Sequence, residues 1–201
     1  MKGKLCILIF SLFIMCGCVV SLPNTAINVQ VSRDLYSPRL DQSKLYDYKG
    51  QSMILDSIEV STESNFTNFH YLSENKKIGY TLFYSSTSAQ QFVSSFFWYT
   101  FQKAFENIGM IITPTVPLKN APQLNLKILA LTDEQAKLKV SLLRNGLLLM
   151  QKDITVLQPL PPTDDVDELE KRQYAYLDLM VETILIDPDL KREFFSDKAK
   201  I

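Results

Sequence analysis

The sequence predicts an α+β fold, a mainly antiparallel sheet of about 5–6 strands with two long helices packed on one face. Three observations carry this. Asn145-Gly146 stands between two apolar runs, residues 137–144 and 147–156. That is the strongest short hairpin signal, because both central positions of a type I′ turn need positive φ. Across residues 87–109, apolar side chains recur at i, i+3, i+4 and i+7, the spacing of one wide helical face. Leu124, Leu126 and Ile128 alternate with Asn125 and Lys127, which marks a strand with one buried face.

The remaining elements follow in chain order. Residues 19–24 read as a short tether. Residues 26–31 alternate weakly and read as a first strand or an extended segment. Residues 32–50 are polar and Tyr-rich, with Pro38 among them, and read as loop. Residues 53–60 form a strand, with Ile54, Ile58 and Val60 on one parity. A polar loop over 61–77 carries the only histidine, His70, and a strand over 78–84 puts Ile78, Tyr80, Leu82 and Tyr84 on one face. In the helix over 87–109, Thr87 or Ser88 supplies the N-cap and Gly109 takes the C′ position. A short extended segment over 110–113 ends at Pro114 and Pro117. Pro159, Pro161 and Pro162 stiffen a connector over 158–165. A second helix over 164–186 presents Val166, Leu169, Tyr176, Leu177, Met180 and Ile184 on one face. Pro188 ends it, and a short amphipathic tail helix follows over 189–198.

The N-terminus reads as a secretion signal. Lys2 and Lys4 form a positive n-region, and residues 5–15 are apolar apart from Ser11. That stretch is the length of a signal peptide and too short to span a bilayer comfortably. Met15-Cys16-Gly17-Cys18 resembles a bacterial lipobox, in which small residues precede an invariant cysteine; an ordinary signal peptide or an uncleaved anchor is the alternative. The expectation is a signal peptide over 1–17, a lipidated N-terminus, tether and loop over 18–50, and a periplasmic α+β domain over 51–201. Cys18 would carry a diacylglycerol and a further acyl chain such as palmitate. Two chains or more give lasting attachment. No Asp follows Cys18, so outer-membrane sorting, facing the periplasm, is the default expectation. Cleavage removes Lys2 and Lys4 and moves the formal net charge from −1 to about −3.

Composition excludes several function classes. Hydrophobic residues are 46% and charged residues 21%, enough for a core, and the near-neutral balance lacks the basic footprint of a nucleic-acid binder. Cys6, Cys16 and Cys18 all lie at the start of the chain, so neither a disulfide framework nor a structural zinc site is expected in the domain. His70 has no motif around it. No glycine-rich phosphate loop is present, and no cofactor or metal is expected. Asp164, Asp165, Asp167, Glu168 and Glu170 sit in the first turns of the second helix, where they offset its dipole. The first helix carries Phe92, Phe96, Phe101 and Phe105 on its core-facing stripe, whereas Trp98, and in part Phe97 and Tyr99, fall off it. A helix apolar beyond one stripe is sandwiched on two sides or meets a partner. Extra burial by the C-terminal helix is the first expectation, and Phe97, Trp98 and Tyr99 are the candidate partner or ligand surface.

Taken together, the lipobox, Ile78-Gly79-Tyr80, the Phe96-Phe97-Trp98 helix, Leu124-Asn125-Leu126-Lys127-Ile128 and Lys139-Val140-Ser141-Leu142 resemble the auxiliary lipoproteins of ABC-type intermembrane transport systems, among them the paraquat-inducible-type lipoproteins. The resemblance covers residues 50–186 as pattern. It implies a non-enzymatic docking or accessory subunit of an intermembrane lipid transport or envelope assembly complex, with protein partners in the envelope. The alternative is a binding module that holds a lipid or other apolar ligand between helix and sheet. A small hydrolase ranks last, since its catalytic parts are missing.

Overall fold

The computed structural model describes residues 26–60, 68–73, 76–85, 90–113, 120–132, 134–158 and 160–196. The chain is α+β, with its strands in two sheets. In the smaller, β1 (Ala26–Ser32) lies parallel to β4 (Lys76–Phe83), and β4 pairs antiparallel with β3 (Asn68–Ser73). The larger runs in the order β5 (Ile111–Thr113), β2 (Ser52–Val60), β6 (Pro122–Leu131), β7 (Gln135–Arg144) and β8 (Leu147–Leu157). β2 is parallel to both its neighbours, and the β6–β7–β8 meander is antiparallel. The pairing is therefore mixed, because β2 returns to β5 and β6 only after long excursions that include a helix.

Asn145 and Gly146 have φ of 52° and 79°, the positive pair that a type I′ hairpin requires. Four helices accompany the sheets: α1 (Gln42–Leu45), α2 (Val93–Asn107), α3 (Val166–Ile186) and α4 (Pro188–Phe195). Asp165 caps α3 by accepting from the amides of Asp167 and Glu168. Asp187 ends α3 and caps α4, and Pro188 occupies the first turn of α4, where its missing N–H costs nothing. No described helix is long and apolar enough to cross a membrane.

Four local readings change. First, α2 begins at Val93, five or six residues after the expected cap, and Thr87 and Ser88 lie outside the described residues. The amide of Gln91 donates to Leu82 O at 2.8 Å and Gln90 bridges to Phe83, so these residues pair antiparallel with the end of β4 instead of joining the helix. Phe92, expected in the core stripe, is consequently 51% exposed. Second, the loop over 61–77 contains β3 and the start of β4, so His70 is a strand residue, its backbone opposite Gly79. Third, the loop over 32–50 folds into two 3-10 turns and α1, and it buries Tyr36, Leu40, Leu45 and Tyr48. Fourth, the strands divide between two sheets where one was expected. α2 packs on β2 and β5, while α3 packs on β1 of the smaller sheet and β8 of the larger. One continuous hydrophobic core joins both sheets and both helices.

Candidate docking surfaces

Two surface features converge on the segment that follows β1. The first lies on the N-terminal half of α2. Phe97 belongs to the core, 3% exposed, and packs edge-on between Phe96 and Phe101. It is therefore not part of a partner surface, and the three expected site residues separate. Trp98 is half-buried. Its indole N–H donates to Leu55 O at 3.3 Å, beside the register shift between Leu55 and Ile58 where β2 bulges against β6. Tyr99 is 44% exposed and meets Trp98 edge-on at 4.9 Å between ring centroids. The burial of these off-stripe positions comes from β2 and the core, not from the C-terminal helix alone.

Tyr99 also belongs to a clamp that no local pattern announces. The guanidinium of Arg33, in the turn after β1, lies 4.0 Å from the ring of Tyr84 and 4.1 Å from that of Tyr99. Cation–π contacts of this kind are each worth about 0.5–1 kcal/mol when exposed and more when water is excluded. Arg33 Nη1 is buried without a hydrogen-bond partner among the described residues. A recess of about 320 Å³ opens beside the clamp, lined by Ser57, Ile58, Ser94, Ser95, Trp98 and Tyr99. Tyr, Trp and Arg are the residue types that dominate interface energetics.

The second feature is a groove of about 750 Å³ along the outer side of α3. Glu170, Tyr174, Asp178 and Glu182 recur every fourth residue, hence on one stripe. They clasp the segment after β1. The Tyr174 hydroxyl donates to Glu170 Oε1 at 2.7 Å, lies 2.9 Å from Ser32 O and accepts the Ser32 amide at 3.1 Å. Asp178 accepts the Tyr36 hydroxyl at 2.7 Å and the Arg39 amide at 3.0 Å, and Glu182 accepts the Asp41 amide at 2.6 Å. Tyr48 completes the series by donating to Leu185 O at 2.8 Å.

Burial, then the neighbouring carboxylates, hold the Tyr36 and Tyr174 phenols well above the ordinary tyrosine range, so both act as donors at any physiological pH. Burial also raises the Asp178 carboxyl above its ordinary value, against the opposing effect of the hydrogen bonds from Tyr36 and Arg39. Every hydroxyl in this clasp already serves a structural partner, so the arrangement is suited to holding a surface in place. The Phe-rich face offered for an apolar ligand between helix and sheet is filled by the core itself: Phe96, Phe101 and Phe105 are at most 2% exposed. Among the described residues, no group of three His, Cys, Asp or Glu is placed to hold a metal ion. Cys18 and the signal segment over 1–17 lie outside the described residues.

Sequence reasoning reached Trp98 and Tyr99 but missed Arg33, Tyr84 and the clasp. Its available signals were the tyrosine density of residues 32–50 and the four-residue polar period on α3, which imitates an ordinary solvent face.

No family model matches the sequence, and no curated protein matches it. The fold is similar to that in a crystal structure of protein XCC0632 from Xanthomonas campestris, assigned to family DUF330. The two are 10% identical, with 86% of this chain and 99% of that chain covered and a TM-score of 0.61. A crystal structure of an uncharacterized protein is 11% identical over 78% of this chain and 97% of that one, with a TM-score of 0.48. At such identity the likeness to the Xanthomonas protein establishes a shared fold.

Proposed function

We propose that this chain is a non-enzymatic bacterial envelope lipoprotein, anchored through Cys18, that acts as a docking or accessory subunit of an intermembrane transport or envelope assembly complex. The observation that carries the reading is the exposed clamp of Arg33 between Tyr84 and Tyr99, with Trp98 beside it. An arginine spent on two tyrosine faces on the surface offers a rigid, desolvated anchor of the kind that binds protein partners. The secretion signal, the Gly17-Cys18 junction and the pattern-level resemblance to transport auxiliary lipoproteins support the same assignment. Only seven residues, 19–25, separate Cys18 from β1, so the tether reaches at most about 28 Å.

Two measurements test this. Mass spectrometry of the mature N-terminus is expected to find an acylated Cys18; an unmodified terminus at another residue removes the anchor. A photo-crosslinking residue in place of Tyr99, introduced in living cells, is expected to join the chain to a transporter or carrier subunit, and Arg33→Ala is expected to abolish that product. A Tyr99 probe that captures no envelope protein, or one indifferent to Arg33→Ala, sinks the docking assignment.

A further inference from the structure

We propose that the free edge of Arg33 in the clamp receives a carboxylate side chain of the docking partner, and that the recess beside it seats an apolar residue of the same segment. This rests on the docking reading and names the chemistry that the partner brings. Arg33 stands between the rings of Tyr84 and Tyr99, at 4.0 and 4.1 Å. The rings cover the guanidinium faces, so a ligand reaches the group along its edge. The same contacts hold the side chain in one orientation, which lowers the entropy lost on binding.

A guanidinium has five N–H donors and no acceptor. Among the described residues, none of those donors on Arg33 has a hydrogen-bond or ion-pair partner. Of its three nitrogens Nη1 alone is buried, so Nε and Nη2 meet solvent. Those two lie on one side of the group with parallel N–H bonds, the fork that matches the two oxygens of a carboxylate. No acid of the described chain fills it. Asp34 forms no ion pair with Arg33, and its charge acts on the Tyr174 phenol instead. The other side chains of the clamp and the recess are uncharged, so the site is positive and its complement is anionic.

Tyr99 is a wall of both the clamp and the recess, so the two half-sites adjoin. Ile58, 4% exposed, and the half-buried Trp98 give the recess its apolar surface. An acidic residue with an apolar one close to it in sequence therefore meets both. The arrangement fits one side chain of a protein better than a lipid surface. Anionic bilayers are recognised by clusters of about four to eight cations. Here Lys103, the one cation of α2, already donates to the Tyr36 carbonyl, which leaves the single fork of Arg33. The formal net charge of −1 also opposes an anionic membrane.

The test uses the full chain in dodecyl maltoside micelles and reads the emission of Trp98, the only tryptophan. The probe is the tripeptide Leu-Glu-Leu, acetylated and amidated so that its side chain is its one carboxylate, titrated into the millimolar range. Its counterpart is Leu-Gln-Leu, blocked in the same way. Leu-Glu-Leu is expected to shift the emission and to bind about tenfold more tightly than Leu-Gln-Leu, the worth of a charge-assisted fork. Arg33→Lys keeps the charge without the fork and is expected to lose most of that preference. Arg33→Gln is expected to lose all of it. The comparison of the two peptides on the unaltered chain does not depend on how either variant folds. Equal binding of the two peptides, no response to either, or a preference that survives Arg33→Gln overturns the proposal. So does binding to phosphatidylglycerol vesicles that Arg33→Gln abolishes while Leu-Glu-Leu stays unbound. The Tyr99 photo-crosslinker in cells separates this inference from the reading beneath it. A crosslink whose yield Arg33→Lys leaves unchanged keeps the docking role and refutes the fork. Preference for Leu-Glu-Leu with no crosslink in cells refutes the docking role and leaves Arg33 a carboxylate site.

Discussion

Removing the hydrogen bond between Tyr36 and Asp178 is expected to loosen the segment that carries the clamp. Tyr36 is fully buried, and its hydroxyl lies 2.7 Å from Asp178 Oδ1. A hydrogen bond to a charged acceptor is worth about 1.5–3 kcal/mol. Tyr36→Phe deletes the donor and leaves the ring in place, so it is expected to cost about 1.5 kcal/mol. Asp178→Ala deletes two acceptors, one for the phenol and one for the Arg39 amide, and is expected to cost about 2–3 kcal/mol. The double variant is expected to cost less than the sum, with a coupling of about 1–2 kcal/mol. For a chain of 201 residues, each kcal/mol moves Tm by about 2–4 °C. Urea denaturation of the three variants, read by tyrosine and tryptophan fluorescence, measures the cycle. The pH dependence adds a sign. Burial raises the Asp178 carboxyl above its ordinary value, so folding favours its protonated form. Its contribution is therefore full below that value and lost as pH rises through the raised one. The stability gap between the native chain and Asp178→Ala is expected to be wider at acidic than at neutral pH. A coupling below about 0.3 kcal/mol, within the scatter of independent sites, or a gap that widens toward neutral pH, refutes the clasp as described.

Two further substitutions test elements read directly from the sequence. Gly146→Ala is expected to destabilise by about 1–2 kcal/mol from backbone strain alone, since φ is 79° and an added Cβ meets nothing within 4 Å; an unchanged urea midpoint contradicts the type I′ assignment. Asp165→Ala is expected to cost about 1 kcal/mol through loss of the cap on the Asp167 and Glu168 amides, and helical circular dichroism that melts at an unaltered temperature argues against it.

These substitutions differ in how far apart their partners stand, and that distance decided what could be read in advance. The Asn145-Gly146 turn and the Asp165 cap depend on neighbours within three residues, so local chemistry announces them. The start of α2 was misplaced because the Gln91 amide bonds to Leu82 on β4, a tertiary contact that overrides the continuing apolar spacing. The clasp joins residues about 140 positions apart, and its acceptors on α3 repeat every fourth residue like any solvated helical face. Nothing distinguishes such a stripe from a wet surface until the segment after β1 is laid along it. Trp98 shows the intermediate case. Its position off the apolar stripe marked it as needing a second neighbour, but the neighbour is the carbonyl of Leu55 at a bulge in β2. Periodicity identifies which side chain is unexplained; only the strand register identifies what explains it. Arg33 follows from the same reasoning. A lone arginine after a strand carries no signal, and it becomes a feature of the surface because β4 and α2 deliver Tyr84 and Tyr99 to its two faces. A surface clamp assembled from three separate elements is thus invisible to motif and visible to topology, which is why the clamp, and not the phenylalanine-rich stripe, carries the proposed function.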